Sequence, residues 1–203
     1  MTTEEKFEGI VLRSQDYQER HRIITLFSEE GIVTLIVKNI SRKNARMLSL
    51  STVFTHAEYL VKRGRGEMYT FADATLIDEN LALRGSLASI QTAASLTQAI
   101  LASQLPGKTS PALFHLYKSY LKQVPAFPDP SSLLGSFQIK LLKHEGLLAP
   151  SEENPCTTRF SPEEWRIIGA LHLAQQFSQL RTLAIPPSVS TKITTLFQES
   201  LTL

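Results

Sequence analysis

The chain has 203 residues, 42% apolar and 20% charged, with a formal net charge of +2, which suits one large domain or two small ones around a real core. No run approaches the roughly 18 apolar residues of a membrane span, and the N-terminus, MTTEEKFEG, has neither the basic start nor the apolar stretch of a secretory leader. The single cysteine, Cys156, excludes an intramolecular disulfide and the paired cysteines of a structural zinc site, so a cytoplasmic chain without metal or cofactor is expected.

The first 80 residues predict strands. Phe7–Ser14 (FEGIVLRS), His21–Ser28 (HRIITLFS) and Gly31–Ile40 (GIVTLIVKNI) are rich in β-branched and aromatic residues, with polar turns between them. Thr52–Arg63 alternates, so that Val53, Thr55, Ala57, Tyr59 and Val61 share one face. Gly64-Arg65-Gly66 supplies a tight turn, and Glu67–Leu76 returns as the hairpin partner. Five short strands in about 75 residues make too small a sheet to leave open. A closed barrel of the oligonucleotide/oligosaccharide-binding (OB) type fits, with an SH3-like barrel as its competitor.

Charge is segregated along these strands. Residues 1–30 carry four cations and seven acids, residues 31–66 seven cations and one acid (Glu58), and residues 67–80 four acids and no cation. A solvated surface ordinarily mixes signs, so the acid-poor block suggests a face for polyanions. Lys38, Arg42, Lys43 and Arg46 lie in or beside the long connection after the third strand, and Lys62, Arg63 and Arg65 at the fourth strand's end. They are expected to meet on one rim. Phe54, Tyr59, Tyr69 and Phe71 are candidate base-stacking platforms, although alternate aromatics in a barrel strand more often fill its core.

From residue 79 the period turns helical. Leu83, Leu87, Ile90, Ala94, Thr97 and Leu101 step by four and three. Ser110-Pro111, Asp129-Pro130 and Ser161-Pro162 read as helix starts, Ser161-Pro-Glu-Glu164 as a capping box, and a last helix follows Pro186-Pro187 from about Val189. The expected organisation is α+β: an N-terminal five-stranded OB barrel over 1–78 and a helical domain over 79–203.

Tests for catalytic chemistry fail. Gly107-Lys108-Thr109 lacks the Gly five residues earlier that a phosphate-binding loop needs (Ala102 is there), and prolines 106 and 111 bracket it as a helix–helix turn. The five histidines share no ligand spacing, no Gly-x-Ser-x-Gly elbow occurs, and Cys156 has no catalytic neighbourhood. No enzyme is expected.

Gly9-Ile-Val-Leu12 with Ser14, Arg-Ile-x-Thr-Leu-x-Ser at Arg22–Ser28, and Lys38 leading into a basic loop resemble the RecO recombination-mediator family. The Gly64–Gly66 turn and Phe137-x-x-x-Leu141-Leu142-x-x-x-Gly146 add to the match. The resemblance is strongest over 7–75, moderate to Gly146 and weak beyond. It implies an OB barrel on a helical domain, binding of single- and double-stranded DNA, and strand annealing. It also implies action with RecR to load the strand-exchange recombinase on DNA coated by single-strand-binding protein, in the cytoplasm and on the nucleoid. By the same resemblance Lys38, Arg42, Lys43 and Arg46 contact the DNA backbone. Many members carry a four-cysteine zinc module after the Phe-x-x-x-Leu-Leu helix; with only Cys156 in that region this chain is expected to lack the metal, and since it ends early for the family a trimmed helical domain is expected. Where some members hold the acidic tail of single-strand-binding protein with arginines, this chain has Gly135-Ser136. Phe137, Lys140 and Lys143 are then the candidates for that tail. An RNA-binding OB module and a non-enzymatic protein scaffold remain the alternatives.

Overall fold

The computed structural model describes residues 4–40, 44–63, 66, 68–148 and 159–201. Backbone proximity divides the chain into two compact units: Met1–Leu81 with Gln104–Lys118, and Ala82–Ser103 with Ser119–Leu203.

The first unit is built on a closed barrel. Its strands are β1 (Glu4–Tyr17), β2 (His21–Ser28), β3 (Gly31–Val37), β4 (His56–Arg63) and β5 (Tyr69–Asp78), arranged β1-β2-β3-β5-β4 and closing on β1. Every pairing is antiparallel except β3–β5. With a short helix, α1 (Ala45–Leu50), between β3 and β4, this is the expected α+β, OB-type architecture. The register of β1 shifts between Val11 and Arg13, a bulge that lets one 14-residue strand serve β4 with its first half and β2 with its second. Val11, Ile24, Leu26, Leu35, Val37, Ala57, Tyr59 and Val61 point inward as the barrel core, and Leu50 of α1 joins them.

The alternation predicted for the fourth strand is correct at Ala57, Tyr59 and Val61, all fully buried. The strand starts four residues later than predicted because the threonines before it bind α1 instead. Thr52 Oγ1 donates to the Leu48 carbonyl at 2.7 Å and Thr55 Oγ1 to Ser49 at 2.9 Å. Such local side-chain bonds compete with a sheet ladder. The Gly107-Lys108-Thr109 turn docks on the barrel. Ser110 N–H donates to the Glu29 carbonyl at 2.9 Å, Pro106 bridges Ile32, and Phe114 and Tyr117 stand edge-on to buried Phe27.

In the second unit, α2 (Leu87–Ser103) buries Thr92, Ala93, Leu96, Thr97, Ala99 and Ile100. The predicted face is therefore wrong for Leu87, Ile90 and Ala94, which are exposed. The helix carries no charge that would have chosen between two overlapping apolar faces. Following α3 (Pro111–Gln123), the most buried helix is α4 (Ser131–His144), packed against α5 (Pro162–Leu173), α6 (Phe177–Thr182) and α7 (Pro187–Ser200). The capping box forms as expected, with Ser161 N–H donating to Glu164 Oε2 at 2.8 Å and Glu164 N–H to Ser161 Oγ at 3.3 Å. No described helix is long and apolar enough to cross a membrane.

Candidate nucleic-acid interface

Strand pairing brings the described cations to one strand. Arg63 lies opposite Tyr69 and Lys62 opposite Thr70, on the β4 side of β5. On the other side Ile36 is level with Thr70, and Lys38 follows two residues further along the parallel β3. Arg46 reaches over from α1. Its Nη2 donates to Asp73 Oδ1 at 2.9 Å and to the Ala74 carbonyl at 2.7 Å. Lys38, Arg46, Lys62 and Arg63 thus border Tyr69–Ala74, roughly 17 Å of strand. They form a line along β5 rather than a cluster on one rim. Arg42, Lys43 and Arg65 lie outside the described residues.

Three of these cations face carboxylates of their own chain: Arg46 with Asp73, Lys62 with Glu4 at 3.4 Å, and Arg63 with Glu5 at 3.8 Å. The acid-poor block of the sequence therefore does not make an acid-free surface. Antiparallel pairing returns the acidic residues of β1 and β5 to the side of the basic ones. The signal was legible in the acidic stretches that flank the basic block. These pairs are solvent-exposed, so each is worth about 0–1 kcal/mol, and a phosphate can take the carboxylate's place at small cost. Lys38 is exposed, with no carboxylate partner among the described residues.

The aromatic candidates separate. Tyr59 is fully buried, its hydroxyl donates to the Leu50 carbonyl at 2.9 Å, and burial pushes its phenol pKa up. Tyr69 and Phe71 pack against the barrel core, edge-on to Phe7 and Tyr59. Burial, with Glu5 beside it, raises the Tyr69 phenol, which donates to Glu5 Oε2 at 3.2 Å. Beside Tyr69 and Arg63 opens a groove of about 1010 Å³, walled also by Glu5, Phe7, Glu30 and Ile32. Phe54 alone of the four stands outside the barrel core.

In the helical unit the three tail candidates differ in exposure and partners. Phe137 is fully buried, 5.4 Å from the Tyr120 ring, and presents nothing to a partner. Lys140 Nζ donates to the Ala174 carbonyl at 2.7 Å over the Tyr120 ring, and burial lowers its pKa. Its charge serves the fold. Lys143 contacts His172 Nε2 at 2.7 Å at the edge of a small cleft of about 50 Å³ formed with Ile139, Trp165 and Ile168. Burial, then the charges of Lys143 and Lys140, hold the His172 imidazole below its ordinary pKa. Among the described residues no three His, Cys, Asp or Glu side chains converge as a metal site. Cys156 lies outside them.

Comparison with known proteins bears on both units. Residues 1–80 match the family described as recombination protein O N terminal. The chain is 25% identical to the DNA repair protein RecO of Chlamydia muridarum, over 96% of this chain and 94% of that protein. It is also 25% identical to the Chlamydia pneumoniae protein of the same name, over 93% and 85%. The RecO of Bacillus cytotoxicus is 27% identical over 70% of this chain and 58% of its own length. The chlamydial matches carry the similarity well past Gly146, where the sequence motifs alone fade.

Proposed function

We propose that this chain, whose residues 1–80 match the recombination protein O N-terminal family, is a DNA repair protein that acts by binding rather than by catalysis. It holds the backbone of single-stranded DNA along β5 with Lys38, Lys62, Arg63 and Arg46. Arg42, Lys43 and Arg65, outside the described residues, are further candidates for DNA contact, and duplex DNA is bound as well. A row of cations screens the repulsion between two polyanionic strands, so the same surface promotes annealing. In the cell it works in the cytoplasm, on the nucleoid. With RecR it helps the strand-exchange recombinase onto DNA coated by single-strand-binding protein. The acidic tail of that protein meets the helical unit at Lys143 and the cleft beside His172, rather than at Phe137 or Lys140.

The observation that supports this reading is the register: separate stretches of sequence deliver four cations to the borders of one strand, β5, of a small closed barrel. The reading is tested by anisotropy titration of a fluorescent single-stranded oligonucleotide at several salt concentrations. Neutralising about four phosphates gives log K a slope of about −3 against log salt. Lys38→Ala, Lys62→Ala and Arg63→Ala together should weaken binding to unrelated sequences alike and flatten the slope. A wild-type slope near zero would defeat the electrostatic account. A matched RNA oligonucleotide that binds more tightly would replace DNA with RNA as the ligand.

A further inference from the structure

We propose that Phe54 is a stacking platform for one base of the single strand, placed beyond the cation line at the far end of β5. This deepens the DNA-binding reading and rests on it.

Phe54 adopts φ +74°, a left-handed conformation that a bulky side chain rarely takes. Such strain persists only where the surroundings impose it, and it gathers at ligand sites. Here the constraint is visible on both sides of the residue. The Phe54 N–H donates to the Val11 carbonyl at 2.8 Å, and Val11 N–H in turn donates to the Thr55 carbonyl at 2.9 Å, at the point where β1 bulges. The Phe54 carbonyl accepts from Asn80 Nδ2 at 2.9 Å, and Asn80 is itself left-handed at φ +49° and pinned by Asp78. With both backbone polar groups engaged, the side chain is what the residue has left to offer a ligand.

That ring is not spent on the barrel core, which absorbs Tyr59, Tyr69 and Phe71 but not Phe54. The residue is part-exposed. Its position suits a strand held by the cations. His56 is level with Asp78, so Phe54 stands where β5 runs out. Between the Arg46 contact at Ala74 and this end, Leu76 and Ile77 are 46% and 50% exposed, and the acids Asp78 and Glu79 follow them, so phosphates are kept from this end while apolar surface is offered to a base. Phosphates belong at the start of β5 and bases at its end. From Tyr69 to Asn80 the strand spans up to about 36 Å, enough for several nucleotides. A phenyl ring offers no hydrogen bond, so it would hold any base, which suits sequence-independent binding.

The test uses the full chain with two probes, fluorescein-labelled dT20 and an abasic backbone of the same length. Phe54→Leu keeps apolar bulk without the π face. Phe54→Gly removes the ring and relieves the positive φ. Both variants should bind dT20 on the order of tenfold more weakly than wild type, bind the abasic strand as wild type does, and keep the wild-type salt slope; Phe54→Trp should retain dT20 affinity. Unchanged dT20 affinity in folded Phe54→Leu and Phe54→Gly, with lowered melting temperatures, would make Phe54 a packing residue and overturn the inference. If the salt slope survives that result, the DNA reading stands without Phe54. If wild type binds neither probe, both fall.

Discussion

At Gly31 the backbone has φ +93°, and a Cβ there would run into the Lys108 carbonyl oxygen. The turn after α2 can lie against the barrel only because this residue has no side chain. Gly31→Ala should destabilise the protein by about 2–4 kcal/mol, combining backbone strain with a clash against main chain, measurable by chemical denaturation. Glu8 shows the electrostatic counterpart. Its Oε1 accepts from Lys118 Nζ at 2.8 Å and pairs with buried His56 Nε2 at 2.9 Å. The hydrogen bond from Lys118 leads the causes that hold the Glu8 carboxyl below its usual range. A carboxyl depressed in the folded state contributes stability that is complete above the ordinary carboxylate range and is lost as the pH falls through the folded value. Glu8→Gln should therefore reduce the loss of stability between neutral and acidic pH, read from melting curves across that window.

Among the elements, β2 and β3 were the most legible, because β-branched runs between polar turns leave little freedom. His21–Ser28 matches the predicted span, and Gly31 starts the next strand as predicted. The α5 start was equally plain, since Ser161, Pro162 and Glu164 each satisfy one local requirement of a helix N-terminus. Ser161→Ala should cost about 1 kcal/mol by thermal unfolding. The spacing of Phe137, Leu141, Leu142 and Gly146 also has a physical reading: three residues on the buried face of α4, and a left-handed glycine (φ +73°) that ends it. Leu147 N–H closes that end on the Leu142 carbonyl at 2.9 Å. The face of α2 was illegible because only its neighbours choose between two apolar stripes. So was the role of the cations, since register decides which acid meets which base, and register depends on the bulges in β1 and β5.

Across the molecule, charge blocks separated in sequence are mixed again by the sheet, so net charge per segment is a poor guide to surface potential here. What survives is the ordering along β5, cations first and apolar residues after. Charge-swapping Asp73→Lys should increase affinity for single-stranded DNA and steepen its salt slope, by exchanging a competing carboxylate for another cation; weaker binding would place the strand elsewhere.

The barrel unit takes its final piece, Gln104–Lys118, from beyond a 22-residue excursion, Ala82–Ser103. During synthesis, Phe27 and Ile32 therefore leave the ribosome long before Phe114 and Pro106 arrive to cover them. The nascent barrel waits with an apolar flank uncovered, a window in which a chaperone would find it. A gene fragment cut after the last strand would prolong that wait indefinitely, and the soluble yield of such a fragment should fall well below that of the whole chain.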